Sequence, residues 1–402
     1  MRHTFTRRDL MKFTGLTGIA GSVAVSLHAA GQPQATAIAH PRGSSDELAG
    51  LVSLSDFEAS ARTHMEHMAW EYINSGAADE ITLRWNREAF EKIRLNPRVL
   101  RDVKNIDTRV TILGQELPFP ILLAPTALHR LAHPEGELAT AHGAGNAGAT
   151  MVLSTMSSTA VEQVTAAASR PVWFQLYIQP DRGFTHDLVQ RAEAAGCRAL
   201  CITVDTPVEG ARNRQARAQF HLPSGVGMPN LRGVIDPAGK EPPTEKNVFT
   251  ALLTRGLTWK DIEWVQSFAR APVLLKGLLN ADDAAIAAKS GVAGILVSNH
   301  GARNLDTVPA TIDALPRIAD KVGGQITILL DGGVRRGTDV MKALALGANA
   351  VLIGRPYVYG LAVGGAQGVT QVIDILRREL EMAMALTGRA TIASIDRTVL
   401  WS

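Results

Sequence analysis

From residue 118 onward, short apolar runs alternate with longer alanine-rich segments in which apolar positions recur three to four residues apart. A run of three to five apolar residues is typical of a buried strand, and spacing of three to four is typical of the inner face of a helix. Eight such runs are present, at residues 121–124, 150–153, 172–176, 200–204, 273–275, 294–297, 326–330 and 350–353.

Each run is followed by a helical pattern, as at residues 135–147, 281–290 and 337–346. Strand–helix alternation repeated eight times predicts an α/β fold of the (β/α)8 TIM-barrel type. A doubly wound open sheet is the structural alternative, because it has the same alternation.

A helical extension is predicted ahead of the barrel. Residues 53–56 fit a cap for a helix over 57–75 that ends at Gly76, and a second helical stretch covers 79–90. Residues 109–112 form a short predicted strand before the main body.

A long connection follows the fourth barrel strand. About 65 residues, 205–271, separate it from the fifth strand, and their middle, 223–246, is rich in Gly and Pro. A long loop over strand C-termini typically covers or gates an active site. An insertion without function is the alternative.

The net positive charge of the chain lies at its N-terminus. The chain of 402 residues carries 41 Lys and Arg against 38 Asp and Glu, and residues 1–12 account for the whole excess, since the remainder holds 37 of each. Phosphate backbones are bound by clustered positive charge, so this balance argues against a nucleic-acid partner. With 46% hydrophobic residues, the chain is long and apolar enough to bury a full core.

The first residues are typical of an export address. The segment 6–12 contains Arg7 and Arg8 and resembles the twin-arginine signal, and the uncharged stretch 13–30 is too weakly apolar for a membrane span. We expect residues 1–39 to be a signal peptide and linker recognised by the twin-arginine translocon, and residues 40–402 to be an exported, periplasmic or extracytoplasmic domain without an integral membrane segment. Cleavage fits after 35–37 or after 37–39. A disordered basic tail is the alternative.

The two cysteines, Cys197 and Cys201, flank the start of one predicted strand. A strand does not bring such a pair within disulfide distance, and no histidine stands nearby at metal-ligand spacing. We interpret both as small buried apolar residues, and no metal site is predicted.

The end of the sixth barrel strand carries the first candidate chemistry. His300 and Arg303 lie three residues apart on a glycine-containing loop. An arginine forks onto a carboxylate, and a histidine transfers a proton near neutral pH. Because barrel active sites gather at strand C-termini, this pair indicates chemistry on a small acid.

The seventh and eighth strands end in glycine-rich turns that contain arginines. Backbone N–H groups and cations at such turns bind a phosphate. Lys276 ends the fifth strand without a carboxylate nearby in the sequence, which indicates that it stabilises negative charge on a bound group. The sequence therefore predicts a phosphate-bearing cofactor with a carboxylate substrate beside it.

Several long motifs resemble those of the FMN-dependent L-2-hydroxy-acid oxidases and dehydrogenases, such as glycolate and lactate oxidases, mandelate dehydrogenase and the flavin domain of flavocytochrome b2. The resemblance runs from about residue 52 to the C-terminus. Its motifs are Ala124-Pro125-Thr126-Ala127, His133-Pro134-Glu135-Gly136-Glu137, Phe174-Gln175-Leu176-Tyr177, Thr203-Val204-Asp205-Thr206-Pro207, Ser298-Asn299-His300-Gly301-Ala302-Arg303 and Asp331-Gly332-Gly333-Val334-Arg335-Arg336-Gly337.

The resemblance implies a role for each catalytic residue. His300 matches the base that takes a proton from the substrate, and Asp205 matches the carboxylate that orients it. Arg303 and Arg212 match the pair that holds the substrate carboxylate. The tyrosines match further substrate contacts, Tyr72 at that carboxylate and Tyr177 near the reacting oxygen.

The resemblance also implies FMN as the cofactor. Lys276 matches the cation beside the flavin N1 and C2 carbonyl, where reduction places negative charge. The remaining matches to the cofactor site are Pro125, Thr126, Ala127, Ser154, Gln175, Thr203, Ser298, Asp331, Gly332, Gly333, Arg335, Gly354 and Arg355.

One position departs from the best-known members. Met156 stands where glycolate oxidases carry a tryptophan over the substrate side chain, and a flexible thioether opens the pocket. We therefore expect oxidation of lactate or a larger 2-hydroxy acid, with O2 as acceptor giving H2O2. A quinone or cytochrome acceptor is the alternative, and both a hydride and a carbanion route fit the same residues.

Two other classes of function are considered. An FMN barrel with non-redox or reductive chemistry would not need His300, Arg303 and Arg212 together, and an inactive flavin-binding module would lack catalytic residues. The resemblance also implies a homo-oligomer, commonly a tetramer.

Overall fold

A computed structural model describes residues 45–231, 254 and 256–401. Eight parallel strands close into a barrel. In chain order they are β3 (Ile121–Leu123), β4 (Met151–Ser154), β5 (Val172–Leu176), β6 (Leu200–Thr203), β7 (Val273–Leu278), β8 (Gly294–Val297), β9 (Thr327–Leu330) and β10 (Ala350–Ile353). Strand β10 pairs with both β9 and β3, which closes the ring, so the TIM-barrel prediction is confirmed and the open sheet is excluded.

Alternating residues of each strand form two apolar layers, because successive side chains point to opposite faces. Inward residues such as Val152, Trp173 and Leu274 fill the barrel. An antiparallel hairpin, β1 (Val110–Ile112) and β2 (Gln115–Leu117), adds Ile112 and Leu117 to this inner cluster. It confirms the predicted strand at 109–112 and adds a second strand.

Helices pack on the outward layer of the barrel, which is the larger apolar cluster. The helices that follow the barrel strands are α5 (Gly136–Ala147), α6 (Val161–Ala167), α7 (Arg182–Ala194), α8 (Asn213–Arg217), α9 (Trp259–Gln266), α10 (Ala281–Lys289), α11 (Thr311–Val322), α12 (Gly337–Ala345) and α13 (Arg355–Leu386). Between residue 45 and the barrel lie four further helices: α1 (Ser45–Gly50), α2 (Leu54–His64), α3 (His67–Asn74) and α4 (Ile81–Lys92).

The prediction of one continuous helix over residues 57–75 is wrong. Ser53 and Asp56 form a capping box at the start of α2, but Met65 and Glu66 have extended ψ angles of 140° and 145° and separate α2 from α3. The break redirects the chain, so that α2 buries Phe57 while α3 buries Trp70 and Tyr72. One straight helix does not present both faces to the same core.

The long connection after β6 contains helices at both ends. Its first part is anchored by Asn230, which is fully buried, accepts a hydrogen bond from Val161 N and donates one to Ser157 Oγ. Most of its predicted Gly- and Pro-rich middle, 223–246, lies outside the described residues, so gating by this segment stays a prediction.

The cysteines are buried and free, as predicted. Burial raises the pKa of both thiols to about 12, which keeps them protonated and unreactive at neutral pH. Within the described residues, no helix is long and apolar enough to cross a bilayer, and no group of His, Cys, Asp and Glu side chains is arranged to hold a metal ion. The export segment lies outside the described residues.

Candidate active site

A cavity of about 1170 Å³ opens among the C-terminal ends of the strands. This volume includes open solvent at the mouth of the cavity. Most of the predicted site residues line it: Tyr72, Pro125, Thr126, Ala127, Ser154, Met156, Gln175, Tyr177, Thr203, Arg212, Lys276, His300, Arg303, Asp331, Gly332, Gly333, Arg335, Gly354 and Arg355. Asp205 and Ser298 are predicted residues that stand behind this lining.

His300 and Asp205 form a hydrogen-bonded pair beside the cavity. The Nδ1 atom of His300 lies 2.8 Å from Asp205 Oδ1, and its Nε2 atom lies 3.4 Å from the Tyr177 hydroxyl. Thr206 and Asn304 donate to the same carboxylate oxygen, at 2.9 and 3.3 Å. With the Nδ1 proton directed at Asp205, Nε2 keeps its lone pair for a ligand.

The backbone around His300 holds this orientation. His300, Gly301 and Ala302 all have left-handed φ angles, between 58° and 62°, which cost about 1–2 kcal/mol at each non-glycine residue. The turn is fixed from several sides: His300 N donates to Ser298 Oγ, Ala302 N donates to Asn299 Oδ1, and Ala77 N donates to Ala302 O. Ser298 therefore positions the histidine.

Burial and charge set the protonation states of the pair. Burial, followed by Lys276, lowers the pKa of His300 to about 4, so the imidazole is neutral at pH 7. Burial opposes ionisation of Asp205, but His300 and Lys276 outweigh it and lower its pKa to about 2. A neutral imidazole against an ionised carboxylate is a base whose protonated form is stabilised as soon as it appears.

Two arginines flank the histidine. Arg303 Nη1 donates to the carbonyl oxygens of Tyr72 and Ser75 at 2.6 and 3.0 Å, and its guanidinium stands 5.2 Å from the Tyr72 ring centre. Arg212 Nε donates to Arg303 O at 3.3 Å. Two guanidinium groups at one end of the cavity make an anion site suited to a carboxylate.

Polar side chains on neighbouring strands form a chain across the cavity floor. Ser154 Oγ donates to Gln175 Oε1 at 3.1 Å, and Gln175 Nε2 donates to Thr203 Oγ1 at 2.9 Å. Lys276 is the next residue in register, opposite Thr203, and its Nζ lies 4.0 Å from Asp331 Oδ2. Burial disfavours the charge of Lys276, but Asp205 and Asp331 outweigh it and raise its pKa. The carboxylates near Lys276 thus come from the loops that follow β6 and β9, which are distant from it in the sequence.

The turns after β9 and β10 supply the predicted cationic pocket. Gly332 and Gly333 both have φ angles of 91°, which favour glycine. Arg335 is half-buried, and its Nε atom is buried without a hydrogen-bond partner among the described residues. Arg355 donates to the carbonyls of Ile73, Gly301 and Ser75, so it contributes charge and braces the His300 turn.

Comparison with known proteins identifies the family. A family model described as FMN-dependent dehydrogenase matches residues 61–402. The chain belongs to this family.

Relatives of this family are similar over most of their length. The L-lactate oxidase of Nostoc sp. is 50% identical over 360 residues, covering 88% of this chain and 99% of that protein. The glycolate oxidase of Spinacia oleracea is 44% identical over 351 residues, covering 87% and 95%. A crystal structure of mandelate oxidase with (S)-2-phenylpropionate is 39% identical, with a TM-score of 0.79 over 87% of this chain and 98% of that one.

The cavity fits the FMN of this family. Asp331 Oδ1 and Arg335 Nε are buried polar atoms without partners among the described residues, as expected of groups that bind a polyhydroxyl and phosphate chain. At Gly354, an added Cβ would meet only Thr126 Cγ2 and Ala124 Cβ, at 3.8 and 3.9 Å, so it would project into open cavity. The Ser154–Gln175–Thr203 chain and Lys276 supply donors for a planar heteroaromatic ring.

Several residues that support or line the site were not predicted from the sequence. Asn86 of α4 and Asn299 exchange two amide hydrogen bonds, at 2.7 and 3.0 Å, and so join the helical extension to the His300 turn. Asn304 and Thr206 support Asp205, and Glu209 lines the cavity beside Arg212. Thr206 lies within a motif and Asn304 directly follows one, which was an available signal, whereas Asn86 is 213 residues from its partner.

Proposed function

We propose that this protein oxidises an L-2-hydroxy acid of the lactate class to the 2-oxo acid and passes the electrons to O2. The observation that carries the proposal is the His300–Asp205 pair, with a neutral Nε2 directed at a cavity that also holds two arginines. The substrate loses two electrons and two protons from its CH–OH group, and O2 takes up two electrons and two protons to form H2O2.

Each residue has one task in this proposal. Arg212 and Arg303 bind the substrate carboxylate, and Tyr72, which lies against Arg303, completes that site. His300 accepts a proton at Nε2, and Asp205 stabilises the resulting charge across 2.8 Å. Tyr177 stays protonated, because burial raises its pKa to about 12, and donates a hydrogen bond near the reacting oxygen.

FMN supplies the electron acceptor for the substrate carbon when it is bound. Arg335, Asp331 and the turns at Gly332–Gly333 and Gly354 would hold its ribityl and phosphate groups. Ser154, Gln175 and Thr203 would bind its ring edge, and Lys276 would stabilise negative charge that develops there.

The named activities of the relatives support this choice. One relative is an L-lactate oxidase, 50% identical to this chain. Met156 is buried at the cavity wall and provides an adaptable apolar surface for a substrate side chain of lactate size or larger.

We also propose that the protein is exported through the twin-arginine translocon. Support comes from the sequence of residues 6–12 with Arg7 and Arg8. That route carries folded proteins, which suits an enzyme loaded with its cofactor. It also makes a respiratory quinone or cytochrome the second candidate acceptor. We further propose a homo-oligomer, commonly a tetramer in such enzymes.

Anaerobic mixing with L-lactate tests the activity. We expect the visible flavin band to bleach, and to recover rapidly, with formation of H2O2, when air is admitted. Bleaching with slow recovery in air and rapid recovery with a quinone or cytochrome would replace O2 by the second candidate acceptor. A bound flavin that no L-2-hydroxy acid bleaches would contradict the proposed function.

A further inference from the structure

Glu209 is a carboxylate in the wall of the cavity that the proposed mechanism leaves unused. Among the described residues that line the cavity, it and Asp331 are the acidic ones. Its Oε1 lies 3.1 Å from Arg212 Nη1, and the two side chains are 26% and 11% exposed. Glu209 thus pairs with one of the two arginines assigned to the substrate carboxylate.

The backbone fixes Glu209 at this place. Gly210 packs so closely on the neighbouring loop that an added Cβ would lie 2.3 Å from the carbonyl oxygens of both Arg303 and Asn304. One residue further on, Ala211 O accepts a hydrogen bond from Ala78 N at 2.6 Å. The segment that carries Glu209 and Arg212 is therefore tied to the Arg303 loop and to the helical extension.

Glu209 adjusts the charge of the substrate end of the cavity. Arg212 and Arg303 together carry two positive charges, and Glu209 reduces the total to one. Burial and Arg212 lower the pKa of Arg303, and Glu209 opposes both effects. One remaining positive charge matches one substrate carboxylate, whereas a second carboxylate would lie in a partly buried space beside Glu209. Like charges in such a space repel strongly.

We propose that Glu209 is a specificity-determining residue that excludes 2-hydroxy acids with a second carboxylate. This inference rests on the proposed function and names the substrate class of the same site: monocarboxylic 2-hydroxy acids. Without the charge of Glu209, the guanidinium group of Arg212 could pair with the second carboxylate instead. The selectivity against such substrates would therefore fall.

Steady-state kinetics of the FMN-loaded enzyme test the proposal with two substrates of the same shape. L-malate and L-2-hydroxy-4-methylpentanoate differ in that a carboxylate replaces an isopropyl group. We expect Glu209→Gln to raise the ratio of kcat/KM for malate to kcat/KM for the uncharged substrate by at least fivefold. Glu116→Gln, which changes an exposed glutamate of β2 outside the cavity, should leave the ratio at the wild-type value. A rise of less than fivefold in Glu209→Gln would overturn the proposal.

Binding of unreactive acids separates this inference from the proposed function. Succinate and 4-methylpentanoate form a similar matched pair, and their binding is measured by perturbation of the flavin visible spectrum. We expect Glu209→Gln to tighten succinate binding relative to 4-methylpentanoate by at least fivefold, even if no hydroxy acid reduces the flavin. An unchanged ratio of dissociation constants would refute the role of Glu209, whatever the enzyme oxidises.

Discussion

The protonation of His300 is decided by contacts from residues far apart in the chain. Asp205 fixes Nδ1 from 95 positions away, and burial, followed by Lys276 on another strand, lowers the pKa of His300. The left-handed turn from His300 to Ala302 stores unfavourable backbone energy, which persists because Ser298, Asn299 and Arg355 bond to it. Such a residue is oriented before the substrate arrives.

Replacement of His300 tests its role as the base. Glutamine has a similar reach but does not accept a proton, so we expect His300→Gln to retain FMN and lower kcat by about 100-fold or more. The flavin visible spectrum of the purified variant checks cofactor retention, and the rate of anaerobic flavin reduction by L-lactate checks the chemistry. Reduction near the wild-type rate would remove His300 from the proposed role.

The lowered pKa of His300 also predicts a pH dependence of stability. The pKa is about 4 in the folded protein against 6.5 for an ordinary histidine, so between these values the unfolded chain binds a proton that the folded protein does not. The wild type therefore loses stability as the pH falls from about 6.5 to about 4, by on the order of 3 kcal/mol from this group.

The His300→Gln variant tests this pH dependence by comparison with the wild type. His300→Gln has no imidazole to titrate, so its thermal midpoint should fall less than that of the wild type between pH 7 and pH 4.5. Far-UV circular dichroism of both proteins across this range measures the difference. Parallel curves would show that His300 does not titrate differently on folding.

At the scale of elements, helix α4 and the turn after β9 share one tight contact. An added Cβ on Gly333 would lie 1.9 Å from the backbone oxygen of Asn86, and Asn86 in turn bonds to Asn299. The helical extension thus reaches both the predicted phosphate turn and the His300 turn. It belongs to the site, although it precedes the barrel in the chain.

Alanine at Gly333 tests this contact. The substitution combines a left-handed φ with a backbone clash, so we expect a loss of about 2–4 kcal/mol of stability together with weaker FMN binding. Gly114→Ala is the matched control, because Gly114 also has a positive φ, 73°, but nothing lies within 4 Å of the added Cβ. It should cost about 1 kcal/mol and leave FMN binding intact. Equal effects of the two variants on stability and on FMN binding would argue against the contact.

The whole molecule combines an almost neutral domain with a basic N-terminus. Residues 40–402 contain the entire predicted site, and the family match begins at residue 61. The proposed export signal is therefore separable from catalysis, and the two proposals are tested independently.

Replacement of Arg7 and Arg8 by lysine tests export. We expect the full chain with Arg7→Lys and Arg8→Lys together to remain in the cytoplasm while the wild type is exported, because charge alone does not satisfy a twin-arginine receptor. Activity in cell fractions from a bacterium with an intact translocon gives the measurement. The total activity, summed over the fractions, should be the same for cells that express the wild type and for cells that express the doubly substituted form. Equal export of the two forms would contradict the proposed signal.

The alternation of apolar runs was sufficient to predict the fold, and the family resemblance predicted most of the residues that line the cavity. Alternating apolar runs place strands within one or two residues, except at the end of β7, where a bulge at Gly277 extends the strand to Leu278. Strand C-termini also meet at one end of any barrel, so the residues that follow the strands had to converge. Local patterns carry this information because strand alternation and turn chemistry are properties of neighbouring residues.

The finer properties of the site depend on the folded arrangement of the chain. The Asn86–Asn299 pair, the carboxylates around Lys276 and the position of Glu209 beside Arg212 all depend on contacts between segments that are distant in the chain or on loop geometry. The break between α2 and α3 likewise follows from the need to bury both helices against one core. Hydrogen bonds, charge coupling and steric contact act through space over a few ångströms, so they are fixed only when the chain has folded.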